Sequence, residues 1–124
     1  MINSAELFKM ANNNGFKETV YSVFGNDVRI SIPISEKHFS SDVAELDLSV
    51  RSYNGLKRSG ISSIGDLFRA LQENLLPSIR NLGRKSIAEI KTQYLNFCYN
   101  QLSDKKKIAF FENLIEMNSP VYKA

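Results

Sequence analysis

The sequence predicts a mainly α protein: a compact helical domain with helix-hairpin-helix-like turns, preceded by a small N-terminal helix plus β-hairpin and followed by an extra C-terminal amphipathic helix. Three observations carry this expectation. From about Glu45 apolar residues recur at three- and four-residue spacing, residues 17–34 hold β-rich runs around a glycine turn, and an apolar-x-x-apolar-Gly pattern occurs twice at an offset of 18. With 124 residues, 43% hydrophobic and 23% charged, the sequence suits one domain, or a domain with an appendage, and a modest core. The textures divide at 1–44, 45–102 and 103–124.

Ser4 is placed to cap a short helix, "AELFKMANNN", in which Leu7, Phe8 and Met10 supply an apolar side and Asn12 to Gly15 a stop. "KETVYSVFGNDVRISIPI" then reads as a β-hairpin around Gly25-Asn26-Asp27, with Val28, Ile30, Ile32 and Ile34 alternating with Arg29, Ser31 and Pro33, the proline suiting an edge. A lone hairpin is marginal in water, so its apolar face is expected to cover the helical part or a second copy of the protein, which makes a homodimer through this region an expectation. "SEKHFSSD", 35–42, reads as a linker.

Leu46, Leu48 and Val50 lead into "SVRSYNGLKRSG". Ile64, Leu67, Phe68 and Leu71 mark a short helix, and Leu75, Leu76 and Ile79 another. Ile87, Ile90, Tyr94, Leu95 and Cys98 mark a long core helix. Ser103 caps a last helix that presents Ile108, Phe111, Leu114 and Ile115, and the tail "SPVYKA" is expected to fray. The twin patterns "ISSIG" (61–65) and "IRNLG" (79–83) suggest two hairpin turns between short helices, where glycine permits a conformation or close approach that a β-carbon would obstruct.

Charge is uneven. Net charge is +3, but residues 51–91 hold eight basic side chains against three acidic ones, which marks that segment for a polyanion. At "NLGRKSIAEI" a helix mouth carries Gly83, Arg84, Lys85 and Ser86. Open N–H groups and the helix dipole attract phosphate there, and the two cations and a hydroxyl add to the same anion. The plainer reading is a serine cap with two solvated cations, yet cations oppose the dipole at a helix N-terminus, which hints at an anionic partner.

These segments also carry a resemblance. "ELDLSVRSYNGLKRSGISSIGDLFRAL" followed by "NLGRKSIAEIK" resembles the C-terminal domain of the bacterial RNA polymerase α subunit over about residues 45–97, with the motifs in the family's order and spacing. The subunit's large assembly domain is absent from these residues, so a stand-alone relative is expected. The resemblance implies a helical domain contacting the A·T-rich minor groove: Arg51 reaches into the groove, Asn54 lies one turn later, Gly83, Lys85 and Ser86 meet the backbone with Arg84 beside them, and Glu89 holds the place of a nearby glutamate. It also implies that Glu45 and Asp47, just before the first helix, fill positions that contact σ factor. Tyr53 replaces a small residue, and Gly55 falls where the family contributes to DNA contact; inside a helix it costs about 1 kcal/mol relative to alanine.

Other functions are less favoured. His38 is the only histidine and has no partner at metal-ligand spacing, no cofactor motif occurs, and no catalytic set appears, so neither a metal, a cofactor nor an enzyme is expected. Cys98 cannot pair internally and reads as a small buried hydrophobe. Lys105 to Lys107 read as a solvated face, and of Phe110 and Phe111 one is expected exposed or buried in a partner. No apolar run approaches the roughly 20 residues of a membrane span and no signal segment opens the sequence, so a cytoplasmic protein with no membrane partner is expected. The leading expectation is thus a non-enzymatic DNA-binding protein of transcription, partnered by A·T-rich duplex and by RNA polymerase, σ factor or a regulator. The alternative is a protein-interaction module that mimics the α-subunit surface without binding DNA, and a helix-hairpin-helix accessory of DNA repair comes third.

Overall fold

The computed structural model describes residues 3–25, 28, 30, 32 and 34–118. These form six α-helices and three short 3-10 turns, and the protein divides into two compact units, one from Ile34 to Phe97 and one from the residues on either side.

In the unit 34–97 the order is a 3-10 turn (Glu36–His38), a second (Val43–Leu46), α3 (Val50–Arg58), α4 (Ile64–Gln72), a third 3-10 turn (Leu76–Ser78) and the body of α5 (Arg84–Asn100), after α1 (Ser4–Asn14) and α2 (Phe16–Phe24) in the other unit. Val43, Leu46, Leu56, Ile64, Leu67, Leu76 and Ile90 are buried and make its core. Each element starts for a local reason. Ser49 caps α3; Ser63 and Asp66 close a reciprocal capping box on α4. The run Leu75-Leu76-Ile79 yields only one 3-10 turn, because Pro77 removes a donor and the left-handed Asn74 (φ 53°) and Asn81 (φ 71°) bound the stretch.

The expected linker 35–42 belongs to this unit. Phe39 lies 5.5 Å, ring to ring, from Phe68, and its carbonyl accepts from Gly65 N at 3.0 Å. Glycine at 65 eases that approach, since a β-carbon would sit 3.1 Å from the Phe39 carbonyl oxygen, closer than ordinary contact.

In the other unit α1 packs on α2 and on α6 (Asp104–Met117), whose first turn is capped by Ser103 as expected. Asn3 rather than Ser4 caps α1, its side chain accepting from Glu6 N at 2.9 Å. Gly15, at φ 98°, ends α1 and separates it from α2. The expected β-hairpin is corrected. Its first run is α2, because Phe16, Thr19 and Val20 bury at helical spacing and outweigh the β-branched composition. Of its second run, residues 26, 27, 29, 31 and 33 lie outside the described residues, as does the tail 119–124; no strand occurs among those described. The uncovered hairpin face that suggested a homodimer goes with the hairpin.

The expectation that Phe110 or Phe111 would be exposed also fails. Both are buried, Phe111 fully, because they meet other rings of the same unit: Phe110 lies 5.6 Å from Phe16 and 5.8 Å from Tyr99, and Phe111 lies 5.8 Å from Tyr99. Lys105 and Lys106 are exposed, while Lys107 places its ammonium 5.1 Å from the Tyr99 ring centre. Cys98 is buried, and no helix among the described residues is long and apolar enough to cross a membrane.

Candidate nucleic-acid interface

The site is built from two helix starts. At the first, Ser49 caps α3, and Ser52, Gly55 and Leu56 bury one face of the helix, which leaves Arg51 exposed and Asn54 half-buried one turn on. Gly55 faces inward. A β-carbon there would fall 2.8 Å from Leu82 Cδ1, so the glycine lets α3 approach the turn that precedes α5. At a position where the family contributes to DNA contact, the missing side chain thus also serves packing.

At the second start, Asn81 turns through the left-handed region, Leu82 plugs inward, and the Gly83 carbonyl accepts from Ile87 N at 3.0 Å, the first bond of α5. Arg84 and Lys85 are exposed and Ser86 is buried. Among the described residues no oxygen accepts from the N–H groups of Arg84, Lys85 or Ser86. Gly83, the N-cap of α5, has no steric reason to be glycine: its φ is not left-handed, and an added β-carbon would meet nothing within 4 Å.

The twin pattern at 61–65 gives the contrast. There Asp66 accepts from Ser62 N and Ser63 N at 3.2 Å, Ser63 accepts from Asp66 N, and the N–H groups of Ile64 and Gly65 bond to the Ser41 and Phe39 carbonyls. That helix start is sealed by the protein itself. The one at 84–86 is open.

Glu89 joins the two starts. Its carboxylate accepts from Ser49 N and Ser49 Oγ, both at 2.8 Å, and from the Ser52 hydroxyl. These bonds, led by that of Ser52, hold its carboxyl below the usual carboxylate range against the opposing effect of burial. One shallow concavity of about 440 Å³ results, with Ser49 and Arg51 on one side and Gly83, Arg84, Lys85, Ser86 and Glu89 on the other. Every expected DNA-contact residue except Asn54 lines it.

Two serines absent from the sequence reading, Ser49 and Ser52, complete the site; the cap signal of a serine just before "VRSYNGLK" marks the first of them. Tyr53 is also accounted for. Lys57 lies 5.2 Å over its ring and pairs with Asp42 at 2.6 Å, a contact that lowers the Asp42 carboxyl and raises the Lys57 ammonium. Glu45 and Asp47 are exposed, and neither has a basic partner among the described residues. No group of His, Cys, Asp and Glu among those residues is arranged to hold a metal.

A helical unit that gathers three exposed cations and an open helix N-terminus into one concavity has the character of a polyanion-binding domain. The family model for the C-terminal domain of the bacterial RNA polymerase alpha subunit matches residues 32–94, half of the sequence, and the protein belongs to this family. A segment of 58 residues is 48% identical to the DNA-directed RNA polymerase subunit alpha of Bacillus velezensis; it covers 47% of this protein and 18% of that relative, so the match spans less than a fifth of the relative's length. No solved structure matches. The family is a non-catalytic, DNA-binding part of the bacterial transcription apparatus, which sets the coarse class of function here.

Proposed function

We propose that the protein grips the minor groove of A·T-rich duplex DNA, with Arg51 inserted in the groove and the start of α5 laid on the sugar-phosphate backbone. The observation that carries this reading is the meeting of Arg51, Arg84, Lys85 and the open N–H groups of α5 on one concavity. A phosphate at the helix mouth takes the N–H groups and the two cations together. Gly83, where a β-carbon would meet nothing within 4 Å, lets it approach the backbone. Arg51 gains most where the groove is narrow and its negative potential concentrated, which is the A·T-rich case. Glu89, the one carboxylate lining this concavity, is already occupied by Ser49 and Ser52 and serves here to hold Arg51's helix.

Glu45 and Asp47, exposed and without basic partners among the described residues, supply an acidic surface for a basic protein partner, σ factor, polymerase or a regulator. The alternative of a protein-interaction module without DNA binding loses one support, because Gly55 is an inward packing position.

Fluorescence titration of the full-length protein with A·T-rich and G·C-rich duplexes at two salt concentrations tests the reading. Wild type is expected to prefer A·T-rich DNA and to weaken as salt rises. Arg51→Ala is expected to lose about 1–3 kcal/mol and most of the preference. Absence of binding at low salt refutes DNA binding by this protein.

A further inference from the structure

We propose that Gln93 is a positioning residue for the DNA grip: its side-chain amide holds the left-handed turn at Asp47 from which α3 departs, and so fixes the direction of Arg51. The inference rests on the DNA-binding reading above and concerns a residue outside the concavity.

The turn needs a brace. Asp47 sits at φ 56°, ψ 48°, where an L-residue's β-carbon crowds its own backbone, and its N–H closes the preceding 3-10 turn on the Ala44 carbonyl at 3.3 Å. Only Leu48 separates it from the cap of α3. Gln93 Nε2 donates to the Leu46 carbonyl at 3.0 Å and to the Asp47 carbonyl at 3.3 Å, so one amide spans the left-handed residue. Asn96 Nδ2 donates to Gln93 Oε1 at 3.3 Å, which occupies the acceptor end of the amide and leaves its donor end for the two carbonyls.

The placement on α5 gives the brace its consequence. Gln93 lies four residues after Glu89 and shares its face of the helix. Glu89 holds Ser49 and Ser52 on the far side of Leu48, and Gln93 holds Leu46 and Asp47 on the near side. Residues 46–52 are thereby clamped to the same helix whose first turn offers Arg84, Lys85 and the open N–H groups. Arg51 has no acidic partner of its own among the described residues, so its position over the groove follows from where α3 begins.

The test uses Gln93→Met, which keeps an unbranched side chain of similar length and removes the donors, with folding followed by circular dichroism. The affinity for an A·T-rich duplex is expected to fall roughly fivefold, a coupling of the size carried through a packed side chain, while the slope of log affinity against log salt stays that of wild type. Asp47→Gly in the Gln93→Met background, which frees the left-handed turn from its strain, is expected to restore most of the loss beyond what Asp47→Asn, which removes the same charge but keeps the β-carbon, restores. Affinity of a folded Gln93→Met within about twofold of wild type overturns the proposal, as does a reduced salt slope, which would make Gln93 a DNA contact. Should the variant not fold, the wild-type protein decides by NMR: Gln93 side-chain amide signals unmoved by the duplex while those of Arg51 shift support positioning, and movement of the Gln93 signals refutes it. Wild type that binds no duplex defeats the DNA reading itself, an outcome distinct from a Gln93 variant that binds like wild type.

Discussion

A methyl group added at Gly83 would stand in open space with no atom within 4 Å, on a backbone that is not left-handed. Packing has no reason to object to it, and only the N-cap preference for glycine over alanine weighs against it. The proposed phosphate does object, because the β-carbon occupies the path to the N–H groups of α5. Gly83→Ala is therefore expected to cost no more stability than the N-cap preference for glycine, about 1 kcal/mol, while DNA affinity drops roughly tenfold, the worth of about one charge-assisted hydrogen bond. Calorimetry and titration of the same sample check both halves. Gly55 is the opposite kind of glycine. Its inward contact with Leu82 was invisible in the sequence, where a glycine in a DNA-facing helix reads as a weakened grip; only the approach of α3 to the turn at 81–83 gives it a packing role.

At the scale of an element, the start of α3 depends on a carboxylate forty residues away. Glu89→Gln keeps the shape but turns an amide nitrogen toward donors of Ser49 and Ser52, and is expected to cost about 1–2 kcal/mol at neutral pH. The pH dependence follows from a carboxyl held below its ordinary value of 4.5 by those bonds: its contribution is complete above that value and is lost as pH falls through the lowered folded value. Denaturation curves of wild type and variant should converge on acidification, and a gap of constant size down to well below that value would contradict the assignment. On α4, Ser63→Ala breaks the capping box and is expected to cost about 1 kcal/mol without weakening DNA binding, since that helix start is sealed from ligands. Most helices here were legible by their apolar stripes, and α6 by its Ser103 cap as well, while the caps Ser49 and Ser63 emerge only in the structure. The segment 16–24 was not, because Thr19, Val20, Tyr21 and Val23 favour strands by composition while Phe16, Thr19 and Val20 bury along a helix, and tertiary packing decides between them. The linker reading of 35–42 failed for a related reason. Its polar side chains hide backbone groups and one ring, Phe39, that are used by α4.

For the molecule as a whole, the net charge of +3 understates the field at the site, because eight of the sixteen basic residues fall within 51–91. Lys57 among them is paired with Asp42 and Arg69 with Asp66, and of the six that remain Arg51, Arg84 and Lys85 line the concavity. Each phosphate contact contributes about −0.9 to the slope of log affinity against log salt, and Lys85→Ala is expected to reduce that slope by about one while weakening A·T-rich and G·C-rich duplexes alike. The family was readable from "SVRSYNGLK" and "NLGRKSIAEI", since ordered motifs at fixed spacing survive without any knowledge of packing. The brace from Gln93 to Asp47 was not, because it joins residues far apart in sequence through one amide and two carbonyls. The central claim is that one surface, made by the starts of α3 and α5, takes the DNA. Backbone NMR of the full-length protein with an A·T-rich duplex tests it most directly: the amide signals of Arg51, Asn54 and residues 83–86 should shift together on titration, with those of the sealed start at 62–66 unmoved, whereas shifts confined to other residues would contradict the account.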